Sequence, residues 1–346
     1  MNISLVKKLP SADEIISRSP LSAAGHSQIA RDRQEVKDIL AGRDKRLLLV
    51  MGPCSAWPDM AVIEYAQRLK RASEPLRDKI KVVLRLYIQK PRTTKGWTGP
   101  VNQPDPFLPS DIEKGIEYSR RLMVKVIELG LPIADEAVFT HNARGFIELL
   151  SWVAIGARST EDQEHRIFAS AVDCSAGMKN PTSGALDIAV NSIIAAQHSH
   201  TAVLDGYQIE TGGNEYAHLV LRGGADGPNY TESHIVRAAE ILKKHSVKNP
   251  SIIIDASHDN CKVNGVKNPS RQIEVVRSVL STIAQNENVR NAVKGFMLES
   301  FLQNGAQKVE SCTPETIDRN GLSITDPCIS WEETETLLNE IADRLQ

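Results

Sequence analysis

Four cations, Arg85, Lys90, Arg92 and Lys95, share one short stretch with the hydroxyls of Thr93 and Thr94. Guanidinium and ammonium donors beside hydroxyls suit a phosphate dianion, which accepts several charge-assisted hydrogen bonds at once. A solvated basic loop would have the same composition, so placement decides between the two. Residues 80–88 form an apolar run of the kind that makes a buried strand, and Pro91 ends it. The basic residues are therefore aimed from the end of a rigid element, where α/β enzymes carry their chemistry. A second set, Cys54, His258, Glu299 and Asp326, offers a thiol, an imidazole and two carboxylates. Mixed sulfur, nitrogen and oxygen donors hold a divalent transition metal. Singly, each has a plainer use: a buried Cys packs as a small hydrophobe, and a strand-end Glu pairs with a basic neighbour.

These residues meet only if the fold brings them together. Eight strand-like runs, 47–51, 80–88, 132–138, 153–157, 175–179, 201–204, 252–256 and 293–299, alternate with amphipathic helical stretches. Such a series predicts an α/β fold, a closed (β/α)8 TIM barrel. An open doubly wound sheet is the alternative, but no Gly-rich dinucleotide turn follows the first run. Thr160 with Gln163, and Ser330 with Glu333, read as capping boxes; Asn268-Pro269 reads as a cap with a first-turn proline. The last helix then shows Leu337, Leu338, Ile341 and Leu345 on one face. Residues 1–46 hold two helix patterns, one capped by Ser11 and Glu14 and one over 28–40. They predict an N-terminal extension that closes the barrel bottom or joins subunits, ahead of a catalytic barrel over 47–346. Residues 205–222 exceed what a βα loop needs, and predict a hairpin with a Gly212-Gly213 turn inserted after barrel strand 6.

In a barrel of this kind the working face lies where the strands end. The successive exits deliver Cys54, then Arg85 and Lys90, Asp135-Glu136, Ala157-Arg158, Lys179, Arg222, Asp255 with His258, and Glu299; Asp326 follows in the last loop. The metal-type donors thus converge. So do Arg85, Lys90, Arg92, Arg158, Lys179 and Arg222, which would repel one another without an anion. They fit one phosphate and one carboxylate, or two phosphates. A rim salt bridge, such as Lys179 with Glu136, is the plainer use of any one of them, but few exits offer a spare carboxylate. His165 and His141 lie near the same rim and are candidates to support the site.

The 346 residues are 41 % hydrophobic and 24 % charged, as in ordinary globular chains. With 41 basic and 43 acidic side chains the formal charge is -2, so no global field draws the chain to nucleic acid or membrane. Any anion site must be a local cluster. No run is long enough for a membrane span, no signal-peptide core is present, and five scattered cysteines make no disulfide framework. A cytoplasmic protein with free thiols is expected.

Gly52-Pro53-Cys54-Ser55, Lys90-Pro91-Arg92-Thr93-Thr94, Gly156-Ala157-Arg158-Ser159-Thr160-Glu161, Leu221-Arg222-Gly223-Gly224, Asp255-Ala256-Ser257-His258 and Ser323-Ile324-Thr325-Asp326 carry a resemblance. Together, and in the same order over nearly the whole chain, they resemble the type I 3-deoxy-D-arabino-heptulosonate-7-phosphate (DAHP) synthases, of the feedback-regulated enterobacterial-like subgroup. The resemblance implies a (β/α)8 barrel that condenses phosphoenolpyruvate with erythrose 4-phosphate and releases phosphate, the first step of the shikimate pathway to aromatic amino acids. It implies a homodimer or homotetramer and a divalent metal, Mn²⁺ foremost, with Fe²⁺, Co²⁺ and Zn²⁺ as alternatives. Carried over by position, it implies a metal on Cys54, His258, Glu299 and Asp326. It implies phosphoenolpyruvate on Arg85, Lys90, Glu136, Ala157, Arg158, Lys179 and Arg222, and the aldose phosphate on Lys90, Pro91, Arg92 and Thr93. Lys90, Cys54 and His258 would be catalytic, with Lys90 delivering a proton to the aldehyde oxygen.

Departures from the family pattern carry expectations of their own. Ala56-Trp57-Pro58-Asp59 stands where the family has Ile-His-Asp-Pro, and Asp135-Glu136-Ala137 where it has Gly-Glu-Phe, which adds a carboxylate near the mouth. A shorter insertion, and Asp173 where regulated members carry Ser, imply loss of ordinary inhibition by phenylalanine or tyrosine. The alternatives are a diverged paralogue using another aldose phosphate, such as an amino-erythrose phosphate, and an inactive barrel that binds a partner.

Overall fold

Strand β1 (Leu47–Gly52) is buried at all 6 positions, because one face meets the barrel interior and the other meets helices. The computed structural model describes residues 2–92, 95–138, 144–204 and 206–345. Its parallel strands close in the order β1, β12 (Val293–Glu299), β9 (Ile252–Asp255), β8 (His218–Leu221), β5 (Ser175–Lys179), β4 (Trp152–Ile155), β3 (Ile133–Ala137), β2 (Ile80–Arg85) and back to β1. Helices α3 (Asp59–Ser73), α4 (Ile112–Glu128), α5 (Gln163–Ala171), α6 (Leu186–Gln197), α7 (Glu232–Lys244), α8 (Arg271–Gln285) and α10 (Trp331–Arg344) alternate with the strands, and a short α9 (Glu287–Ala292) precedes β12. The expected (β/α)8 barrel is the fold.

One barrel strand lies elsewhere than the apolar runs predict. Residues 201–204 form β6 (Thr201–Leu204), which pairs antiparallel with β7 (Tyr207–Glu210) outside the barrel. His218–Leu221 takes the sixth barrel place, between β5 and β9. The hairpin therefore precedes barrel strand 6, and it turns between Leu204 and Tyr207 instead of at Gly212-Gly213. The two runs are alike in apolarity but not in surroundings. In β6, Val203 is 79 % exposed, whereas all of β8 is buried. His218 disguised the true strand: it faces inward and accepts from Trp152 Nε1 at 3.1 Å.

The boxes at Ser11–Glu14 and Ser330–Glu333 both form, opening α1 (Ala12–Arg18) and α10. Thr160 does not cap α5; that helix starts at Gln163 behind Asp162. Asn268 and Pro269 precede α8 rather than starting it, and their carbonyls accept from Arg271 and Gln272. In α2 (Ala23–Leu40), Val36, Ile39 and Leu40 share a buried cluster with Leu48, Val50, Val83, Trp152 and Met297, residues that line the barrel interior. The second helix thereby packs its last turns into the barrel, leaving the opposite mouth for chemistry.

Candidate active site

β1 and β12 are neighbours with Gly52 opposite Glu299, so the chain leaving β1 brings Cys54 to the end of β12. Ligand atoms of Cys54, Glu299 and Asp326 lie within 4.8 Å of one another. His258 follows β9, the other neighbour of β12, and its Nε2 lies 3.9 Å from Glu299 Oε1. It sits in the left-handed region at φ 57. That conformation costs a non-glycine residue on the order of 1 kcal/mol and persists where surrounding contacts over-determine it. Nδ1 of His258 lies 2.9 Å from Asp255 Oδ2 and 2.7 Å from Ser257 Oγ. Burial pushes this imidazole below its ordinary value, so it is neutral near pH 7. With Nδ1–H given to Ser257 Oγ, which in turn donates to Asp255 Oδ1 at 2.6 Å, Nε2 presents its lone pair to the cluster.

The sulfur is crowded by donors. Lys90 Nζ lies 3.1 Å from Cys54 Sγ and 2.8 Å from its carbonyl, and the Asp326 N–H points at the same sulfur from 3.3 Å. Burial, with the charge of Glu299, still pushes the Cys54 thiol up. Burial also opposes ionisation of Glu299 and Asp326, but Arg85 and Lys267 respectively hold them below the usual carboxylate range. A soft sulfur, a neutral imidazole oriented by a carboxylate and two ionised carboxylates fit a divalent transition ion.

A cleft of about 510 Å³ opens beside this cluster. Lys90, Pro91, Arg92, Glu136, Ala157, Arg158, Lys179, Arg222, His258 and Asp326 all line it. Thr93 and His141 lie outside the described residues. Arg85 is fully enclosed and lies against the donor cluster. Its guanidinium is 2.7 Å from Glu299 Oε1, 3.2 Å from the Pro53 carbonyl and stacked 3.9 Å from the Tyr87 ring centre. Arg85 and Tyr87, two residues apart, share one face of the extended chain. The same ring lies 5.5 Å from Lys90 Nζ and 6.0 Å from Lys179 Nζ, and its negative face favours all three cations.

The cations are less short of carboxylates than the sequence suggested. Lys179 Nζ is 3.5 Å from both Glu136 and Asp255, and Arg222 pairs with Asp259. Lys262 also pairs with Asp259, and Lys267 lies 2.5 Å from Asp326. Asp259 follows His258 at the seventh strand exit; Tyr87, Lys262 and Lys267 are site residues that the sequence motifs do not single out. The signal for the two lysines was the Asn264-Gly265 dipeptide between them, the mark of a tight hairpin.

Glu136 is held ionised by Lys179 against the effect of burial. Gly156 makes room for it: a Cβ there would lie 2.5 Å from Glu136 Oε1. Asp135 adds no full charge at the mouth. It is buried, accepts the Ile88 N–H at 3.1 Å, and burial pushes it up to about 8, so it is mostly protonated at neutral pH. His165 pairs with Asp162 and reaches the Val138 carbonyl at 3.2 Å, away from the donor cluster.

Residues 23–339 match the DAHP synthetase I family. The Tyr-sensitive phospho-2-dehydro-3-deoxyheptonate aldolase of Salmonella typhimurium is 38 % identical over 338 residues, covering 96 % of this chain and 92 % of that protein. The Trp-sensitive enzyme of the same name from Escherichia coli K12 is 37 % identical over 342 residues, 97 % and 95 % of the two chains. The solved structure of a phospho-2-dehydro-3-deoxyheptonate aldolase from Francisella tularensis superposes with a TM-score of 0.93 at 35 % identity, covering 100 % of this chain and 99 % of that one. Agreement of this extent, in sequence order and in three dimensions alike, means that the chain belongs to the DAHP synthetase I family.

Proposed function

We propose that the cleft joins phosphoenolpyruvate to erythrose 4-phosphate, making DAHP and inorganic phosphate. The observation that carries this is the contact between two features: a cation-lined cleft large enough for both esters and a metal-type donor cluster at its floor. Arg158, Lys179 and Arg222, with Glu136 and Ala157, hold phosphoenolpyruvate. Lys90, Pro91, Arg92 and Thr93 hold the aldose phosphate. Arg85 and Lys90 complete the set of cations that hold phosphoenolpyruvate. Cys54, His258, Glu299 and Asp326 would hold the divalent ion, Mn²⁺ first, with Fe²⁺, Co²⁺ and Zn²⁺ also suited to these donors. Such an ion supplies Lewis-acid polarisation of the acceptor's aldehyde.

The chain's own residues do the rest. Two multiply charged esters repel, and the cations cancel that repulsion and align the vinyl carbon with the aldehyde carbon. A carbon–carbon bond forms between C3 of phosphoenolpyruvate and the aldehyde carbon, and Lys90 gives the aldehyde oxygen its proton. Burial works against charge on Lys90, but the surrounding anions, Glu299 and Glu136 among them, carry it above its ordinary value, so the proton is present at neutral pH. Water then adds at C2, with the ionised Glu136 taking its proton, and phosphate leaves as its C–O bond breaks.

Phosphate release in the presence of Mn²⁺, assayed across a panel of aldose phosphates, tests the reading. Turnover is expected with erythrose 4-phosphate. Preference for an amino-erythrose or pentose phosphate would favour the paralogue reading, and no release from any acceptor would favour a partner-binding barrel. A homo-oligomer, dimer or tetramer, is supported by Val203 at 79 % and Tyr207 at 74 % exposure on the β6–β7 hairpin. No helix among the described residues is long and apolar enough to cross a membrane. The free thiols of Cys54, Cys174, Cys261, Cys312 and Cys328 support a reducing, cytoplasmic setting.

A further inference from the structure

Between His258 and α8 the chain makes a second, much smaller hairpin, β10 (Lys262–Val263) and β11 (Val266–Lys267). Its strands have 2 residues each, and its apolar side chains, Val263 and Val266, are 40 % and 70 % exposed. Apolar burial therefore does not hold it, and so short a ribbon is marginal alone. Its register places Lys262 directly opposite Lys267. Like charges facing across strands destabilise the pair unless each finds a counter-charge. Each does, and the two counter-charges belong to different halves of the site. Lys267 Nζ lies 2.5 Å from Asp326 Oδ2, and Lys262 pairs with Asp259 Oδ1. Asp259 uses its other oxygen, Oδ2, to hold Arg222.

We propose that the β10–β11 hairpin is a clip with two ends: Lys267 orients Asp326 for the metal, and Lys262 orients Asp259, through which it aims Arg222 at phosphoenolpyruvate. This rests on the functional reading above. Asp326 lies in a loop, on neither strand nor helix, so its backbone alone does not fix its carboxylate. Lys267 holds Oδ2 of this carboxylate, and metal-binding carboxylates are commonly fixed by such a second contact. Arg222 Nε is buried without a hydrogen-bond partner among the described residues, so Asp259 is what sets the plane of that guanidinium. Lys262 and Lys267 both line the cleft and neither is a donor to the metal, so both are positioning residues.

The test titrates Mn²⁺ calorimetrically into wild type, Lys267→Met, Lys267→Arg and Lys262→Met, and then measures the phosphoenolpyruvate KM at saturating Mn²⁺. Lys267→Met should weaken Mn²⁺ binding about 10–100-fold, and Lys267→Arg should restore most of it. Lys262→Met should leave Mn²⁺ binding unchanged and raise the phosphoenolpyruvate KM up to about fivefold at constant kcat, the reach of a partly exposed ion pair. Thermal melts of all variants should match wild type, since the hairpin packs little. Mn²⁺ binding by Lys267→Met as tight as wild type would overturn the proposal. So would equal shifts of both ligands in both methionine variants, the sign of a plain structural strut. Wild type that bound no Mn²⁺ at all would instead overturn the functional reading, and the clip with it.

Discussion

Cys54 is a thiol that the protein alone keeps protonated, because burial and Glu299 outweigh Lys90. Its proton leaves when a metal takes its place, so metal binding should release protons and tighten as pH rises between about 6 and 8. Calorimetry in buffers of different ionisation enthalpy reads that release directly. Cys54→Ala should lose Mn²⁺ on gel filtration, since methyl cannot replace a thiolate, and metal analysis checks it. Chelation should abolish turnover of wild type, with Mn²⁺ restoring it. Lys90→Met should lower kcat by roughly 10²–10⁴-fold while Mn²⁺ binding persists, as expected when a proton donor is removed. Asp135 shows where residue type misleads. Its folded value, about 8, lies above the ordinary carboxylate range. Between about pH 4 and pH 8 the folded state therefore holds a proton that the unfolded chain has released, and stability falls as pH rises. Asp135→Asn should flatten the melting temperature across that window, because Oδ1 still accepts the Ile88 N–H.

At the scale of elements, strand and helix periodicity was legible wherever one side chain type dominated a face. β1 and β9 are nearly all apolar, β12 is apolar from Phe296 to Leu298, and Ser330–Glu333 opens a helix with a clear stripe. The sixth barrel strand was not legible. An inward histidine broke its apolar run, and the nearby 201–204 run looked better while lying in solvent. Helix α2 shows the converse: its last turn serves the barrel core although it precedes the barrel in sequence. Ile39 is fully buried among Leu48, Val50 and Trp152, so Ile39→Ala should cost about 2–5 kcal/mol in denaturant unfolding. Gly156→Ala should raise the phosphoenolpyruvate KM, because its methyl must displace Glu136 Oε1 from 2.5 Å.

Over the whole molecule, the near-zero charge balance hides a local concentration of cations at one mouth and of mixed ion pairs at the other. Lys81 pairs with Asp32 at 2.6 Å beneath the barrel, which stabilises the fold but meets no substrate. Asp173 also lies away from the cleft, with its side chain 87 % exposed and 3.6 Å from Arg33. Were an amino acid to bind beside Asp173, its carboxylate would meet this anion. Millimolar phenylalanine or tyrosine should therefore leave initial rates unchanged, and a saturable fall in rate would contradict that expectation.

From its residues alone the chain determined which chemistry was possible: soft and hard metal donors, phosphate-binding cations, and an alternation of strands and helices that suits a barrel. These follow from side-chain type and from periods of two and 3.6, which are local properties. Only the tertiary structure decided which charges face which. Arg85 went onto Glu299, Asp135 became mostly neutral, and two lysines of a tiny hairpin reached separate carboxylates. Ionisation and pairing depend on burial and on distances between residues far apart in the chain, and the order of residues carries neither until the barrel closes.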